Sequence, residues 1–253
     1  MRVLLDEEKL PYHEAWSVVT ETFAYTNHTV LPEALERWSV GMMQQLLPRH
    51  VDLIFYINHI FLEEVKRRYP GDNHRLEVLS MIEGWDEGSK KVRMANVAIV
   101  CSHHVNGVAE LHSQILKDSV FKEFYEFFPH KFLNMTNGVT PRRWLYCCNP
   151  GLSKLIADTI GNEDDWVTDM RMVEELNGRA TDAKFVKKFL QVKNECKKNL
   201  QHYVKHTQGI DIRIDAMYDV MVKRIHEYKR QLMNILYVIH RYLSILGMNE
   251  GQR

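Results

Sequence analysis

The chain has 253 residues, 45% of them hydrophobic, and its 33 basic and 33 acidic residues give a formal net charge of zero. This length is enough to bury a substantial core in one or two domains. Balanced charge argues against a dedicated nucleic-acid-binding protein, which needs a basic surplus. The four cysteines lack metal-ligand spacing and are too few for a disulfide scaffold, which favours a reducing compartment. No apolar run approaches membrane-spanning length and no signal peptide is visible, so we expect a cytoplasmic protein that binds neither membranes nor nucleic acids.

The first 24 residues predict two helices separated at Pro11. The run from Ala24 to Pro32 then interrupts the helical periodicity. Pro32 stands where the first turn of another helix is expected, with acidic residues near its positive end. His28 is therefore predicted to lie in a loop just before a helix. Taken alone, an isolated loop histidine favours local packing or hydrogen bonding.

A long amphipathic helix is predicted next, because apolar residues recur three and four positions apart and Pro70-Gly71 ends the pattern. Its apolar face comprises Leu53, Ile54, Ile57, Ile60, Phe61 and Val65. Residues 92–101 form an apolar run that periodicity assigns to neither helix nor strand. The following His103, His104 and His112 lack the helical i, i+4 spacing of a zinc site and a nearby acidic partner of a standard ligand set, so we expect structural roles and no metal site.

The second half begins with a turn-rich segment, since Asn137-Gly138 and Thr140-Pro141 favour turns, and we place a domain boundary there. A helix over 150–160 follows, and residues 182–206 predict a strongly amphipathic helix. Ile210, Ile212 and Ile214 then alternate as in a strand.

A basic stretch, Val222–Leu232, places four fixed cations within eight positions. The apolar run Met217–Val222 predicts a short strand before it, and Leu232 begins a helical pattern after it. The stretch is thus predicted to form a strand-to-helix turn, with two cations at the strand end and two in the first turn of the helix. Lysine supplies a point charge, arginine a fork for phosphate oxygens, and helix N-terminal amides add partial positive charge. The pattern alone is compatible with a phosphate site or with an ordinary solvated basic surface.

Four strings, in this order, resemble the glycogen/starch (α-glucan) phosphorylase family, in its animal type. They are TNHTVLPEALERW, SHHVNGVAELHS, TNGVTPRRW and VKRIHEYKRQ. The resemblance implies a helix-rich α/β fragment of a two-lobed glycosyltransferase of the GT-B type. Residues 1–137 would end the N-terminal, sugar-side lobe, and residues 138–253 would begin the C-terminal lobe, on the cofactor and phosphate side.

The same resemblance implies phosphorolysis. Inorganic phosphate would cleave the terminal α-1,4-linked glucose of glycogen or starch to give glucose 1-phosphate, with pyridoxal 5'-phosphate acting through its own phosphate. His28 would hold the sugar hydroxymethyl group and help to stabilise positive charge at the anomeric centre. Val108 would line the glucose pocket through its backbone, and Asn137 would bind a glucose hydroxyl. Trp144 would lie beside the pyridoxal ring, although ordinary core packing also explains a tryptophan there.

On the phosphate side, the resemblance implies that Arg224 and Lys229 hold the anions, the cofactor phosphate among them for Lys229. Lys223 would lie on the cofactor phosphate and Tyr228 would reach the sugar. His226 would be a positioning residue. Losing any of these cations would remove charge-assisted hydrogen bonds from the site.

In the family, the lysine that forms the Schiff base with the cofactor lies well downstream of VKRIHEYKRQ, and this chain stops at Arg253. We therefore expect a fragment that is inactive alone and lacks that lysine, from an enzyme whose full-length form is a homodimer. Two other function classes remain open. One is a non-catalytic fragment of the same fold that binds glucan or a partner. The other is a basic-helix nucleic-acid module, which the balanced charge disfavours.

Overall fold

The computed structural model describes residues 1–86, 88–161, 165–249 and 251. They fold into two compact units, Met1–Val139 and Thr140–Arg253. The sequence boundary lies at 137, and the units divide at 139. Both short strands and many helices occur in the described residues, which agrees with the predicted helix-rich α/β class. Within those residues, no helix combines the length and the apolar character needed to cross a membrane.

The first unit is built mainly from α-helices joined by short irregular turns. Its described helices are α1 (Tyr12–Thr22), α2 (Val40–Leu46), α3 (Pro48–Arg68), α4 (Asn73–Leu79), α5 (Met94–Cys101), α6 (Glu110–Ile115) and α7 (Lys122–Phe127). Single π-helical turns lie at Val3–Glu7 and Leu116–Val120, and 3-10 turns at Pro32–Ala34 and Pro129–Lys131.

Two three-stranded sheets complete the first unit. The parallel sheet has the order β1 (Tyr25–Thr26), β5 (Val105–Gly107), β6 (Phe132–Asn134). The antiparallel sheet has the order β2 (Arg37–Ser39), β4 (Lys91–Arg93), β3 (Ile82–Glu83). Because β1, β5 and β6 run in the same direction, the loops that follow them leave the sheet at one edge.

Helix α3 confirms the predicted long helix and supplies much of the core. Pro48 begins it, where a missing N–H costs no intrahelical bond. Phe61 from α3 lies 6.3 Å from the Phe124 ring and 5.4 Å from the Phe127 ring, centroid to centroid. Burying one such side chain stabilises a fold by about 1.5–3 kcal/mol. At the other end, Arg68 donates to the carbonyl oxygen of Phe127 at 2.8 Å, so the basic last turn is tied to α7.

The apolar run 92–101, which periodicity left open, is divided between the last residues of β4 and the whole of α5. Lys131, which is only 8% exposed, caps the C-terminus of α5 with its side chain. Its ammonium donates to the carbonyl oxygens of Ile99 at 3.1 Å and Val100 at 3.0 Å. These are carbonyls of the last turn, which have no partner within the helix. Burial lowers the pKa of Lys131 to about 8.

The second unit contains α8 (Pro150–Ile160), α9 (Asp165–Thr168), α10 (Ala183–Gln208) and α11 (Gln231–Leu246) in its described part. Helical turns also occur at Arg142–Cys147, Met170–Arg179 and Glu227–Lys229. The prediction of an amphipathic helix over 182–206 is confirmed by α10. Asp182 caps its first turn, and Gly209 ends it at a φ of 70°.

The packed core of the second unit is small. Ile156, Trp166 and Val167 are buried in one cluster, and half-buried apolar residues of the neighbouring turns surround them. In contrast, large apolar residues on every side of α11 are more than 40% exposed: Leu232, Met233, Ile235, Leu236, Tyr237, Val238, Ile239, Tyr242, Leu243, Ile245 and Leu246.

Three predicted elements are wrong. The segments 210–214 and 217–222 contain no strand. Side chains of α10 bond the backbone here instead, since Gln201 donates to the carbonyl oxygen of Ile212 and Lys197 to that of Ala216. Pro32 begins a single 3-10 turn and not a full helix. The chain instead continues into β2, whose three residues all pair with β4, and this long-range pairing overrides the local helical signal.

Candidate functional site

The residues predicted to contact sugar lie together at the carboxyl edge of the parallel sheet. His28 follows β1, Val108 comes directly after β5, and Asn137 is three residues beyond β6. In sheets with parallel strands, ligands commonly bind in the crevice outside the carboxyl ends of the strands. The structure thus brings three positions that are far apart in sequence to one edge of the first unit.

Backbone hydrogen bonds fix these loops to one another. The amide of Asn137 donates to the carbonyl oxygen of Val108 at 2.9 Å, which joins the β6 and β5 loops. The amide of Asn27 donates to the carbonyl oxygen of Asn106 at 2.9 Å, which joins the β1 loop to strand β5. These bonds use main-chain groups that would otherwise be unpaired at the strand ends. The edge is therefore organised before any ligand binds.

Gly107 explains why the β5 loop can lie so close to helix α6. A Cβ atom added there would be 2.1 Å from the hydroxyl oxygen of Ser113, far inside any normal contact. That hydroxyl donates to the side-chain oxygen of Asn134 at 2.8 Å. Any larger residue at 107 would force α6 away from the sheet, and the loop that carries Val108 would move with it.

His28 and its neighbour Asn27 have opposite environments. Asn27 is 1% exposed, and its side-chain oxygen accepts from the amide of Thr29 at 3.0 Å. His28 is exposed, and within the described residues no hydrogen bond or ion pair joins its ring to a protein group. The buried asparagine thus fixes the loop, whereas the histidine remains available for a ligand.

His112, on α6, is a site residue that the sequence did not reveal. Its Nδ1 accepts from the amide of Val108 at 3.0 Å, and its Nε2 donates to the side-chain oxygen of Asn27 at 3.0 Å. Burial is the main cause that lowers the pKa of His112; a backbone hydrogen bond with Thr29 raises it in part, and nearby His28 lowers it further. Its place in the string SHHVNGVAELHS was the available signal.

The basic stretch in the second unit has a different local structure from the predicted strand-to-helix turn. Residues up to His226 are irregular, Glu227–Lys229 forms a 3-10 turn, and Arg230 takes a left-handed conformation with φ 57° and ψ 37°. Helix α11 begins only at Gln231. Lys229 and Arg230 therefore precede the helix, and neither lies in its first turn as predicted.

Gln231 holds the basic stretch in place, and sequence reasoning missed it. Its side-chain oxygen accepts from the amide of His226 at 3.1 Å. Its side-chain nitrogen donates to the carbonyl oxygens of Arg224 at 3.2 Å and Lys223 at 3.4 Å. One side-chain amide thus connects the first half of the stretch to the first residue of α11. Its place as the last residue of VKRIHEYKRQ was the only signal.

The side chains of the stretch are well suited to an anion. Lys223 and Arg224 are exposed, and neither forms an ion pair with another described residue. The Lys229 nitrogen lies 5.6 Å from the centroid of the Tyr228 ring, a favourable cation–π arrangement. Trp144 is 63% exposed within the turn Arg142–Cys147, and in the described part of the chain no contact joins it to these cations.

Comparison with known proteins identifies the family. Residues 1–252 match the family model described as carbohydrate phosphorylase. The chain belongs to this family. The resemblance predicted from four short strings is therefore confirmed over nearly the whole chain.

Curated members of the phosphorylase family are similar along the whole chain. Glycogen phosphorylase 2 of Dictyostelium discoideum is 49% identical over 253 residues, which is all of this chain and 25% of that protein. The muscle form of glycogen phosphorylase from Mus musculus is 49% identical over 246 residues, 97% of this chain and 29% of that protein. The human liver form is 50% identical over 245 residues, which is 97% of this chain and 28% of that protein. The chain therefore spans between a quarter and three tenths of the length of these relatives.

Proposed function

We propose that this chain carries two sets of active-site residues of a glycogen phosphorylase, an α-glucan phosphorylase of the GT-B type. Residues 1–137 would end its N-terminal lobe, and residues 138–253 would begin its C-terminal lobe. The observation that best supports the proposal is the meeting of His28, Val108 and Asn137 at the carboxyl edge of one parallel sheet. An edge of this kind is a common position for a ligand site.

On the sugar side, the exposed His28 ring would bind the hydroxymethyl group of the terminal glucose and favour positive charge at the anomeric carbon. The Asn137 amide side chain would bind a second hydroxyl. Val108, whose amide and carbonyl are both hydrogen-bonded to protein, would form a fixed wall of the pocket. Groups held in place before the substrate binds stabilise a transition state without the cost of reorganisation.

On the phosphate side, Arg224 and Lys229 would hold the attacking phosphate, and Lys223 would hold the cofactor phosphate, with Lys229 contributing to both. Tyr228 would contact the sugar. The exposed cations without ion-pair partners fit the phosphate of pyridoxal 5'-phosphate, and the exposed Trp144 indole is available for its ring. When bound, that cofactor would supply a phosphate group for acid–base chemistry beside the substrate phosphate. The residues of this chain would neutralise the two crowded anions.

The proposal extends to the partners and the place of action of the whole enzyme. Glycogen or a related α-glucan and inorganic phosphate would be its substrates. The full-length protein would work as a cytoplasmic homodimer. The names of the curated relatives support the choice of glucan.

A chimera tests the activity directly. This chain would replace the matching 253 residues of glycogen phosphorylase 2 from Dictyostelium, which supplies the other three quarters of the enzyme. We expect the chimera to release glucose 1-phosphate from glycogen and inorganic phosphate, and the isolated chain to release none. A folded chimera that retains pyridoxal phosphate but forms no product would contradict the proposal. If the isolated chain then sedimented with glycogen, a non-catalytic glucan-binding role would replace it.

A substitution in the chimera tests the sugar-side assignment. His28→Ala should lower turnover about 2-fold to 10-fold, the effect of one lost hydrogen bond, and leave the cofactor content unchanged. His13→Ala is the control, because that side chain is 82% exposed and lies on α1, away from the parallel sheet. Loss of cofactor with normal turnover per bound cofactor would show that His28 has another role.

A further inference from the structure

His112 contacts two loops through its two ring nitrogens, and the partners fix its proton. The Val108 amide can only donate, so Nδ1 must accept. Nε2 must then carry the proton that it donates to Asn27. The hydrogen bonds of the Asn27 side chain also place the proton of His112 on Nε2. Its side-chain nitrogen donates to the Tyr25 hydroxyl at 3.0 Å, and its oxygen receives the Thr29 amide, so the oxygen faces His112.

The ring therefore links two of the three loops at the carboxyl edge of the sheet directly, and the third through Val108. Asn27 directly precedes His28 in the β1 loop. Val108 belongs to the β5 loop, and its carbonyl oxygen accepts from the Asn137 amide of the β6 loop. Among the sugar-site residues of the first unit, Val108 is thus a direct partner of this imidazole, and His28 and Asn137 are each one covalent or hydrogen-bonded step from a partner.

We propose that His112 is a positioning residue, whose neutral ring sets the spacing between the loops that carry His28 and Val108. The inference rests on the proposed function, because that function makes these loops a sugar site. His112 does not touch the substrate in this scheme. Its Nε2 link fixes the loop that places His28 at the anomeric carbon, and its Nδ1 link fixes the wall formed by Val108.

Two substitutions separate the two links. His112→Asn keeps an acceptor at the distance of Nδ1 and removes the Nε2 donor. His112→Gln keeps a donor near the position of Nε2 and removes the Nδ1 acceptor. In the chimera we expect His112→Asn to lower kcat about 2-fold to 10-fold, through His28, with little change in the glucan KM. His112→Gln should instead raise the glucan KM by a similar factor, about 2-fold to 10-fold.

Matched controls are available at His74, whose side chain is 73% exposed on α4. His74→Asn and His74→Gln make the same chemical changes away from the parallel sheet and should leave both constants unchanged. If the two His112 variants lose kcat equally, keep KM and fall equally in thermal stability, the residue only stabilises the fold, and the proposal is wrong.

A structural measurement on the 253-residue chain is independent of activity. Nitrogen-15 NMR of the imidazole should show the tautomer protonated at Nε2. Hydrogen exchange of the Val108 amide should be slow in the parent and in His112→Asn, and fast in His112→Gln. A ring protonated at Nδ1, or equal exchange in all three, would overturn the proposal. If the parent chimera makes no glucose 1-phosphate, the proposed function fails, whereas the exchange pattern still decides whether His112 links the loops.

Discussion

The two sets of candidate residues are held in place by different means. In the first unit, His28 and Val108 follow strands of a sheet that packs on the main hydrophobic core, and buried polar groups connect their loops. In the second unit, the basic stretch is held mainly by the Gln231 side chain, at the start of a helix whose apolar residues are largely exposed. The sugar-side geometry therefore depends on the whole fold of its unit. The phosphate-side geometry depends on a few local hydrogen bonds.

The sharpest test of this contrast compares two apolar truncations. Phe124→Ala removes a ring that is 2% exposed and should lower the free energy of unfolding by about 3–5 kcal/mol. Leu236→Ala removes a side chain of α11 that is 58% exposed and should change the free energy of unfolding by about 0.5 kcal/mol or less. Urea unfolding followed by circular dichroism measures both. Equal losses would show that α11 is packed in solution and that the contrast is wrong.

The next largest effect is expected from removing single cations of the basic stretch. In the chimera, Arg224→Ala and Lys229→Ala should each cost about 2–4 kcal/mol of transition-state stabilisation, or about 30-fold to 1,000-fold in kcat/KM for phosphate. Lys223→Ala should act mainly by loss of bound pyridoxal phosphate, measured by absorbance.

Lys187→Ala is the matched control for these charge changes. It removes the same charge from an exposed position on α10 and should leave kinetics and cofactor content unchanged. An equal loss in the control would mean that general electrostatics explain the result. The basic stretch would then not be the phosphate site.

A smaller effect is expected at Gln231. Gln231→Ala removes three hydrogen bonds that hold the basic stretch but leaves every cation in place. The bonds are exposed, so the loss should be worth about 0.5–1.5 kcal/mol, and the KM for phosphate should rise about 2-fold to 10-fold. Global stability should change little. A large fall in stability with an unchanged KM would show that Gln231 holds the fold and not the site.

The smallest expected effect is a pH dependence of the stability of the first unit, caused by His112. The pKa of folded His112 lies below that of an unfolded histidine, about 6.5, so the unfolded chain binds more protons in this range. Stability that this residue contributes is therefore present above about pH 6.5 and is lost as the pH falls. The stability difference between the parent and His112→Gln should shrink from about pH 7.5 to about pH 5.5 in urea unfolding. A difference that grows toward acid would reverse the sign and contradict the assignment.

The sequence predicts best what is local and periodic. Helices α3 and α10 are predicted because amphipathic spacing repeated over several helical turns is a strong signal. The strands were not predictable in the same way, since each has two or three residues. Their pairing joins positions far apart in the chain, such as Tyr25 with Val105. The same reason explains the error after Pro32, where the decisive partner is β4.

The site was predictable only in part. The candidate residues His28, Val108 and Asn137 came from family resemblance, and their functional roles stay predictions. Residue type and spacing suggested an anion site in the basic stretch but could not exclude a solvated surface. His112 was predicted only to have a structural role, and Gln231 was missed, because their part in the site depends on where α6 and α11 begin. That information exists only once the chain is folded.

The cap on helix α5 has a chemical consequence. A neutral lysine amine keeps two N–H groups, and Lys131 has two carbonyl partners, so its proton can leave without breaking either bond. Because burial lowers the pKa of Lys131 to about 8, a sizeable fraction of this amine is an uncharged nucleophile in mildly alkaline buffer. The residue is only 8% exposed, so most of this side chain is kept from reagents in solution. Acylation of Lys131 by an amine-reactive label should therefore be slow in the folded unit and faster when the unit opens, so its rate would report that opening.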